Sequence, residues 1–309
     1  MTVRFSLAAL LFACGFEQSN AIDLAPVEGM PVELKNVRMA ESFYALIGER
    51  TASFSSADGA NAIGIAWDTH VIGEAAEYSG TSAQLACRVG EHTIVSRLAT
   101  DANNQLVTAP VGTKFEHRDT FPPTPFAEGI PKVCESTIYY TVAPPLPPGP
   151  TPAPAHEFHE LGTVCFSDGK LVDGACSPDV LPRVPADKPL VVSDVVGRIG
   201  TLPEGGHGLQ VSVLVTAGEN IPDDFMIGAD ASCRVGDSVR EMSLQLLMFA
   251  RHIDPGEAFW QTAATPPGSA METEPEGCTV HVKMAQNGVK ERLAQYCVRG
   301  TTTTAGACE

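Results

Sequence analysis

Apolar side chains recur at every second position in several runs of this chain. That period of two is typical of a β-strand with one buried face. The runs are residues 63–67, 85–89, 134–142, 209–216 and 278–284. Residues 34–47 fit a short helix or two strands, and their pattern does not decide between the two. Because turn-forming residues separate the runs, we predict an all-β protein in which any helix is minor.

The tetrapeptide Cys-Arg-Val-Gly occurs twice, at residues 87–90 and 233–236, and an acidic residue follows each copy. The two copies lie 146 residues apart, and the later cysteines Cys134 and Cys278 lie 144 residues apart. Such a nearly constant offset is typical of a duplicated module with small insertions in its loops. It is too long for a solenoid repeat, so we predict two domains rather than an array.

A second pair of cysteines follows each copy. Cys165 and Cys176 enclose ten residues, and so do Cys297 and Cys308. The residues before the second cysteine are Gly-Ala in both pairs. Here the offset between the copies is 132 residues, twelve fewer than at the preceding cysteines. The first copy therefore carries a twelve-residue insertion between its second and third cysteines.

The proline-rich run 143–154 has the length of this insertion. Its counterpart in the second copy contains Asn287-Gly288, a strong signal for a tight hairpin. We therefore predict that the run is a lengthened hairpin loop, which serves as a stiff spacer or as a polyproline II ligand for an aromatic groove. From the end of a hairpin it could also reach a neighbouring subunit. The predicted modules are residues 22–178 and 190–309, with a linker at residues 179–189.

Eight cysteines remain once the N-terminal Cys14 is set aside, an even number that predicts a disulfide framework. The fold predicted is two tandem β-sandwich modules, Greek-key or immunoglobulin-like, each stapled by disulfides and related by internal duplication. Four cysteines in a module allow three pairings. The apolar strand faces favour long-range bonds between the first two cysteines of each copy. The favoured pairs are Cys87–Cys134, Cys165–Cys176, Cys233–Cys278 and Cys297–Cys308.

The first 21 residues have the organisation of a signal peptide. Arg4 precedes the apolar run Phe5–Phe16, and Ser19-Asn20-Ala21 is a small-x-small cleavage site. We therefore expect export and a mature chain that begins near Ile22. As an alternative, Leu11-Phe12-Ala13-Cys14-Gly15 resembles a lipobox, which would attach a lipid to Cys14. No later segment has the roughly 20 apolar residues of a membrane-spanning helix.

The formal net charge of −17 disfavours partners with many phosphate groups. Lysine and arginine residues form no cluster along the chain. Nucleic acid and anionic membrane surfaces are therefore not expected partners. An acidic surface also favours solubility outside the cell.

Motifs that carry known chemistry are missing from the sequence. It has no Gly-x-Ser-x-Gly elbow, phosphate-binding Gly-x-x-x-x-Gly-Lys, His-Glu-x-x-His or alternating-aspartate calcium loop. It has no Cys-x-x-Cys pair either, so the usual zinc and haem spacings are absent. We therefore predict no cofactor, no metal and no catalytic residues.

Two groups of histidines and acids are alternatives to that prediction. Asp68 and His70, together with His117 and Asp119, would form a His/carboxylate site and make the protein a secreted hydrolase. The run His156-Glu157-Phe158-His159-Glu160 contains potential metal ligands. In a strand, however, its two histidines would point to opposite faces.

The duplicated positions are mainly Cys, Gly, Pro and apolar residues of strand faces, which are the residues of a scaffold. Arg88 and Arg234 are the one shared basic pair, and we expect each to hold an acidic neighbour on a strand surface. Thr301–Thr304 would suit contacts between strands. We therefore predict an exported, non-enzymatic structural or interaction protein of a cell surface or extracellular assembly. Its partner would be a protein, self-assembly included; the alternative is a secreted carbohydrate-, peptide- or small-ligand-binding protein.

Overall fold

The protein is described here by a computed structural model. The described residues are 21–43, 61–96, 109–121, 124–126, 129–142, 157–202, 205–221, 225–244, 253–266, 268–286 and 289–309. Their regular structure consists of β-strands in three sheets, which confirms the predicted all-β class. None of these residues belongs to a helix long and apolar enough to cross a membrane. Cys14 and the run 143–154 lie outside the described residues.

Eight strands come from the first half of the chain. They are β1 (Val32–Phe43), β2 (Asn61–Val71), β3 (Ser79–Val89), β4 (His92–Val95), β5 (Lys114–Thr120), β6 (Val133–Val142), β7 (Glu157–Ser167) and β8 (Lys170–Asp173). Strands β1, β2 and β5 form a three-stranded sheet. Strands β8, β7, β6, β3 and β4 lie side by side in a larger sheet. The segment left open between helix and strand is thus a strand up to Phe43.

Eight further strands come from the second half. They are β9 (Leu190–Thr201), β10 (His207–Ala217), β11 (Met226–Val235), β12 (Ser238–Leu244), β13 (Glu257–Ala264), β14 (Gly277–Gln286), β15 (Val289–Arg299) and β16 (Thr302–Ala305). Strands β9, β10 and β13 are neighbours, and β12, β11, β14, β15 and β16 form a five-stranded sheet. This order of pairing matches that of β1–β8, strand for strand. The descent of both halves from one duplicated module stays a prediction, as do the domain boundaries.

The two halves share a sheet, which the sequence did not predict. Strand β4 of the first half pairs in parallel with β13 of the second half, through Thr93 opposite Glu257 and Ile94 opposite Ala258. We call this pair the parallel joint. It connects five strands of the first half to three strands of the second in one eight-stranded sheet, in the order β8-β7-β6-β3-β4-β13-β10-β9.

Each half packs a small sheet against a larger set of strands, as in a β-sandwich. In the first half, Ile65 of β2 belongs to the same buried cluster as Leu85 of β3. In the second half, Val213 of β10 and Val280 of β14 share a second cluster. The hydrophobic cluster of the first half extends onto a strand of the second half, since Ala258 of β13 is buried in it.

Each half contains two disulfides, and none of these four bonds joins one half to the other. They confirm the predicted disulfide framework. Those of Cys87–Cys134 and Cys233–Cys278 join residues directly opposite each other on neighbouring strands. The other two are Cys165–Cys176 and Cys297–Cys308. In immunoglobulin domains the disulfide connects facing sheets, whereas here each long-range bond lies within one sheet. A disulfide-rich chain fits export to an oxidising compartment.

The strands on either side of the proline-rich run are hydrogen-bonded neighbours. Val142, at the end of β6, lies opposite Glu157, at the start of β7. In the second half, Gln286 lies opposite Val289 in the same way. The run 143–154 therefore connects two antiparallel strands of one sheet rather than two domains.

Candidate functional site

The predicted linker 179–189 is packed against the first half. Leu181 is fully buried in the cluster that also contains Ala86. The hydroxyl of Thr93 donates a hydrogen bond of 2.6 Å to the carbonyl of Pro182. The linker therefore forms part of the junction between the halves.

Arg183 of the linker lies between two acidic side chains, one from each half. Its Nη2 is 2.5 Å from Oε1 of Glu135 on β6, and its Nε donates a 2.8 Å hydrogen bond to Oε1 of Glu257 on β13. The side chains of Arg183, Glu135 and Glu257 are 25%, 10% and 4% exposed, respectively. We call these three residues the junction triad.

The second oxygen of each carboxylate is also satisfied. Oε2 of Glu135 accepts a hydrogen bond of 2.7 Å from the backbone N–H of Cys176, and Oε2 of Glu257 accepts one of 3.0 Å from that of Asp254. Buried charges are tolerated when they are paired and hydrogen-bonded in this way. The triad thus holds the linker, both halves and the Cys165–Cys176 disulfide together. We call this bond and Cys297–Cys308, each of which closes a short loop, the clasp disulfides.

Burial and pairing act in opposite directions on the charges of the triad. Burial disfavours the charge on Arg183, but the hydrogen bonds and charges of Glu257 and Glu135 outweigh it and raise the pKa of the guanidinium above its ordinary value. Burial also raises the pKa of the Glu257 carboxyl, and the hydrogen bonds from Asp254 and Arg183 oppose this only in part. Arg183 therefore stays charged, and folding makes Glu257 easier to protonate.

We expect Glu257→Gln to alter the pH dependence of stability. An acid whose pKa is raised by folding stabilises the fold most when it is protonated, below its unfolded pKa, and that contribution is lost as the pH rises through its folded pKa. The stability of the unmodified chain relative to E257Q should therefore fall as the pH rises from the ordinary pKa of a glutamate, about 4, through the raised pKa of Glu257. Urea unfolding at a series of pH values measures the difference in the free energy of unfolding between the two chains. Exposed Glu274→Gln is the control for the change in net charge, and a relative stability that rises with pH contradicts the assignment.

A small polar cavity adjoins the triad. Its volume is about 120 Å³, below the roughly 300–1,000 Å³ of ligand pockets. Tyr139 lines it, and burial together with the charge of Glu160 raises the pKa of this phenol to about 12. The cavity is lined by Gln84, Ala86, Glu135, Thr137, Tyr139, Arg183, Asp254 and Glu257. Its size and its position favour a role in joining the halves.

The predicted His/carboxylate site does not form. His117 lies opposite Trp67 in the β2–β5 pair and stacks on it, with ring centroids 5.3 Å apart. Asp68 and His70 lie on the other face of β2, because successive residues of a strand alternate between faces. Asp68 accepts a hydrogen bond from Asn36, and His70 lies 3.6 Å from a Glu33 oxygen. The side chain of Asp119 lies outside the described part.

The other two candidates from the sequence are the histidine run 156–160 and Arg88. His156 lies outside the described residues, and Nε2 of His159 is 3.7 Å from Oε2 of Glu157 on the same strand. Within the described ranges, no group of three or more His, Cys, Asp or Glu residues could hold a metal ion. Arg88 was expected to hold an acid, but its Nη1 donates instead to the carbonyl of Val180 in the linker, at 3.5 Å.

Arg234, the counterpart of Arg88, lines an open groove of about 320 Å³ on the second half. At Gly277, one of its lining residues, an added Cβ would make tight contacts, 3.1 Å from Cγ of Arg299 and 3.2 Å from Sγ of Cys308. We call this pocket the Arg234 groove. It is lined by Ser232, Arg234, Val239, Glu276, Gly277, Thr279, Arg299, Cys308 and Glu309.

Sequence reasoning missed the junction triad. Glu135 stands at a polar position of an alternating strand, which indicates a solvated side chain, and Arg183 stands in a proline-rich linker. In the structure, Glu135 is covered by contacts with Cys176 and Arg183. Compared with protein-family models and with curated proteins, the chain matches none of them.

Proposed function

We propose that this protein is an exported, non-enzymatic structural or interaction component of a cell surface or extracellular assembly. The observation that carries the proposal is the shared eight-stranded sheet, reinforced by the junction triad. Two domains on one chain usually meet in small polar interfaces and move relative to each other. Here backbone hydrogen bonds and buried charges hold the halves together, which suits a rigid spacer or scaffold.

The matching strand order and the matching disulfides support descent of the halves from one duplicated module. In such a protein the two halves present similar surfaces at a fixed separation. The two surfaces differ in one respect: the linker packs on β3 and β4 of the first half, through bonds from Arg88 and Thr93 to its carbonyls. A second candidate function, the binding of a peptide by an exported protein, is favoured by the Arg234 groove.

We expect the mature chain to be recovered outside the cytoplasm, beginning near Ile22 and with its eight remaining cysteines oxidised. Cell fractionation and mass spectrometry of the N-terminus, with and without thiol alkylation, measure all three properties. Cys14→Ala is the matched control: it leaves a cleaved, free chain unchanged but abolishes membrane attachment if Cys14 carries a lipid. A full-length, reduced chain in the cytoplasm would overturn the proposal.

Cross-linking on intact cells tests the role in an assembly. We expect adducts between this chain and another surface or extracellular protein, or a second copy of itself. Recovery of the exported chain only as a free monomer, at every cross-linker concentration, counts against an assembly. Turnover of a substrate by the purified chain would replace the proposal by an enzymatic one.

A further inference from the structure

Three loops of the first half meet at one end of its sheets. Ile72 and Gly73 of the β2–β3 loop both donate hydrogen bonds to the carbonyl of Pro31, in the loop before β1. Gly112, in the loop before β5, donates to the carbonyl of Val71, the last residue of β2. We call this end the apolar end and define it by residues 27–31, 72–78 and 110–113.

Large apolar side chains of these loops face solvent. Val111 is 67% exposed and Ile72 is 45% exposed. Val27 and Tyr78 are exposed as well. Single exposed apolar residues are common on soluble proteins, but four on adjoining loops are typical of a surface that contacts a partner. The apolar end therefore has the composition of an interaction surface.

The equivalent end of the second half is covered by the linker. Gly218 follows β10 as Ile72 follows β2, and each donates to the carbonyl of the proline that precedes the first strand of its half. An added Cβ on Gly218 would overlap the carbonyl oxygen of Lys188, so the linker fills the space that the Ile72 side chain takes in the first half. Gly256, the counterpart of Gly112, is packed in the same way, with linker backbone atoms 2.5 Å from an added Cβ. The apolar end thus corresponds to a surface that is an interface in the second half.

The charged side chains of the apolar end are acidic. Glu28, Glu74 and Glu77 are exposed, and the sequence of the three loops contains no lysine or arginine. Lys114, at the start of β5, directly follows the third loop. Two such ends placed face to face would bring the glutamates of both copies together, which disfavours a second copy of this chain as the partner. A partner with lysine or arginine around an apolar surface is complementary instead.

We propose that the apolar end binds a basic amphipathic segment of a partner protein, in which aliphatic side chains are flanked by lysine or arginine. This inference rests on the proposed function as an interaction protein, and it names the surface and the chemistry of the partner. Ile72 leaves no path for a closely packed backbone like that of the linker over Gly218. The partner therefore packs aliphatic side chains against Ile72 and Val111, while its cations lie beside the glutamates.

The strands that flank the proline-rich run reach the same end. Val142, before the run, lies opposite Ser79, which directly follows the β2–β3 loop. In the second half, Asn287-Gly288 stands in place of residues 143–156 between the equivalent strands. A variant of the full chain with Asn-Gly in place of residues 143–156 therefore separates a partner of the loops from a partner of the run.

Titration of the isotope-labelled, full mature chain with a synthetic amphipathic peptide of leucine and lysine tests the inference. We expect the peptide to shift the backbone NMR signals of Ile72, Glu74 and Val111, with an affinity that falls as salt is added. A peptide of the same pattern with glutamate in place of lysine is expected not to bind. The Asn-Gly variant should bind the leucine–lysine peptide as the unmodified chain does.

Variants of the loops make the result specific. Ile72→Ser and Val111→Ser should each weaken binding about tenfold, because each removes an aliphatic contact. Glu74→Gln should weaken it about twofold at low salt, as expected for one exposed charge pair. Val172→Ser is the matched control, since Val172 is 53% exposed on β8, which pairs with the last residues of β7, whereas the apolar end lies near the first. Thermal unfolding verifies that each variant is folded.

No shift of these signals at millimolar peptide overturns the inference, and so does equal binding by I72S, V111S and the unmodified chain. Loss of binding in the Asn-Gly variant overturns it too, because the run then holds the partner. Two further results overturn it by assigning the apolar end to another partner. Phosphatidylcholine vesicles that bind the unmodified chain but not I72S indicate a membrane, and a dimer of the purified chain that I72S abolishes indicates a second copy.

The cross-links on intact cells distinguish this inference from the proposed function. Each of the contrary results leaves the proposed function intact if those cross-links persist. Loss of the cross-links with peptide binding retained has the opposite meaning, because the apolar end then binds the peptide outside an assembly.

Discussion

Arg183→Met is expected to lower the free energy of unfolding by about 3–5 kcal/mol at neutral pH, because it leaves two buried carboxylates without their shared cation. Glu135 and Glu257 are 10% and 4% exposed, so water cannot replace the guanidinium. The loss falls on the contact between the halves. We therefore expect the halves of R183M to unfold in two separate transitions, whereas the shared sheet should make the unmodified chain unfold in one.

Urea unfolding followed by tryptophan fluorescence measures the effect, since Trp67 lies in the first half and Trp260 on the joint strand β13. Arg38→Met is the matched control. Arg38 pairs with Glu116 at 2.7 Å on an exposed face, and such a pair contributes about 0–1 kcal/mol. Adding Glu135→Gln and Glu257→Gln to R183M should restore part of the loss. A change below about 1 kcal/mol in R183M would show that the triad does not stabilise the junction.

Removal of the Cys87–Cys134 disulfide by a double alanine substitution is expected to cost about 4 kcal/mol, from the entropy of the loop it closes. The two cysteines are 47 residues apart and fully buried. Removal of Cys165–Cys176, which are 11 residues apart, should cost about 3 kcal/mol by the same relation. These energies approach the net stability of a whole domain, so full reduction should unfold the protein.

The second half supplies the matched comparison. Cys233 and Cys278 are 45 residues apart and equally buried, so their removal should cost about as much as that of Cys87–Cys134. Chemical unfolding of each double variant gives the energies, and thiol titration of the native chain gives the number of free cysteines. Several reactive thiols without reductant, or a clasp variant less stable than the long-range one, would contradict this ranking.

Periodicity predicted the inward faces of the strands correctly. Ile65, Val211 and Val280 are all buried, because the side chains of a strand alternate whatever the strand packs against. The disulfides form between the cysteines that the strand faces favour, since apolar faces place cysteines in the cores. The strand faces were sufficient for the first feature, whereas for the disulfides they favoured one of the three pairings that each module allows.

The junction depended on contacts that no local pattern contains. Thr93 and Glu257 are polar, but both are buried at the parallel joint, where Thr93 bonds to the carbonyl of Pro182 and Glu257 to Arg183. The four residues of the His/carboxylate hypothesis do not converge, for a related reason. The predicted partners Asp68 and His117 stand on neighbouring strands, and the register of that pair places them on opposite faces.

The parallel joint also determines how many modules one sheet can contain. One of its two residue pairs is Ile94 opposite Ala258. Strands β12 and β5, the counterparts of β4 and β13, lie at the edges of their sheets among the described residues. The counterpart of Ile94 is Arg240, because Arg240 lies opposite Cys233 as Ile94 lies opposite Cys87. The counterpart of Ala258 is Lys114, because Lys114 lies opposite His70 as Ala258 lies opposite Thr216. A second copy of this chain added in the same register would bring Arg240 and Lys114 together. Because like charges directly opposite each other are destabilising, this pair disfavours growth of the sheet by further copies in this register.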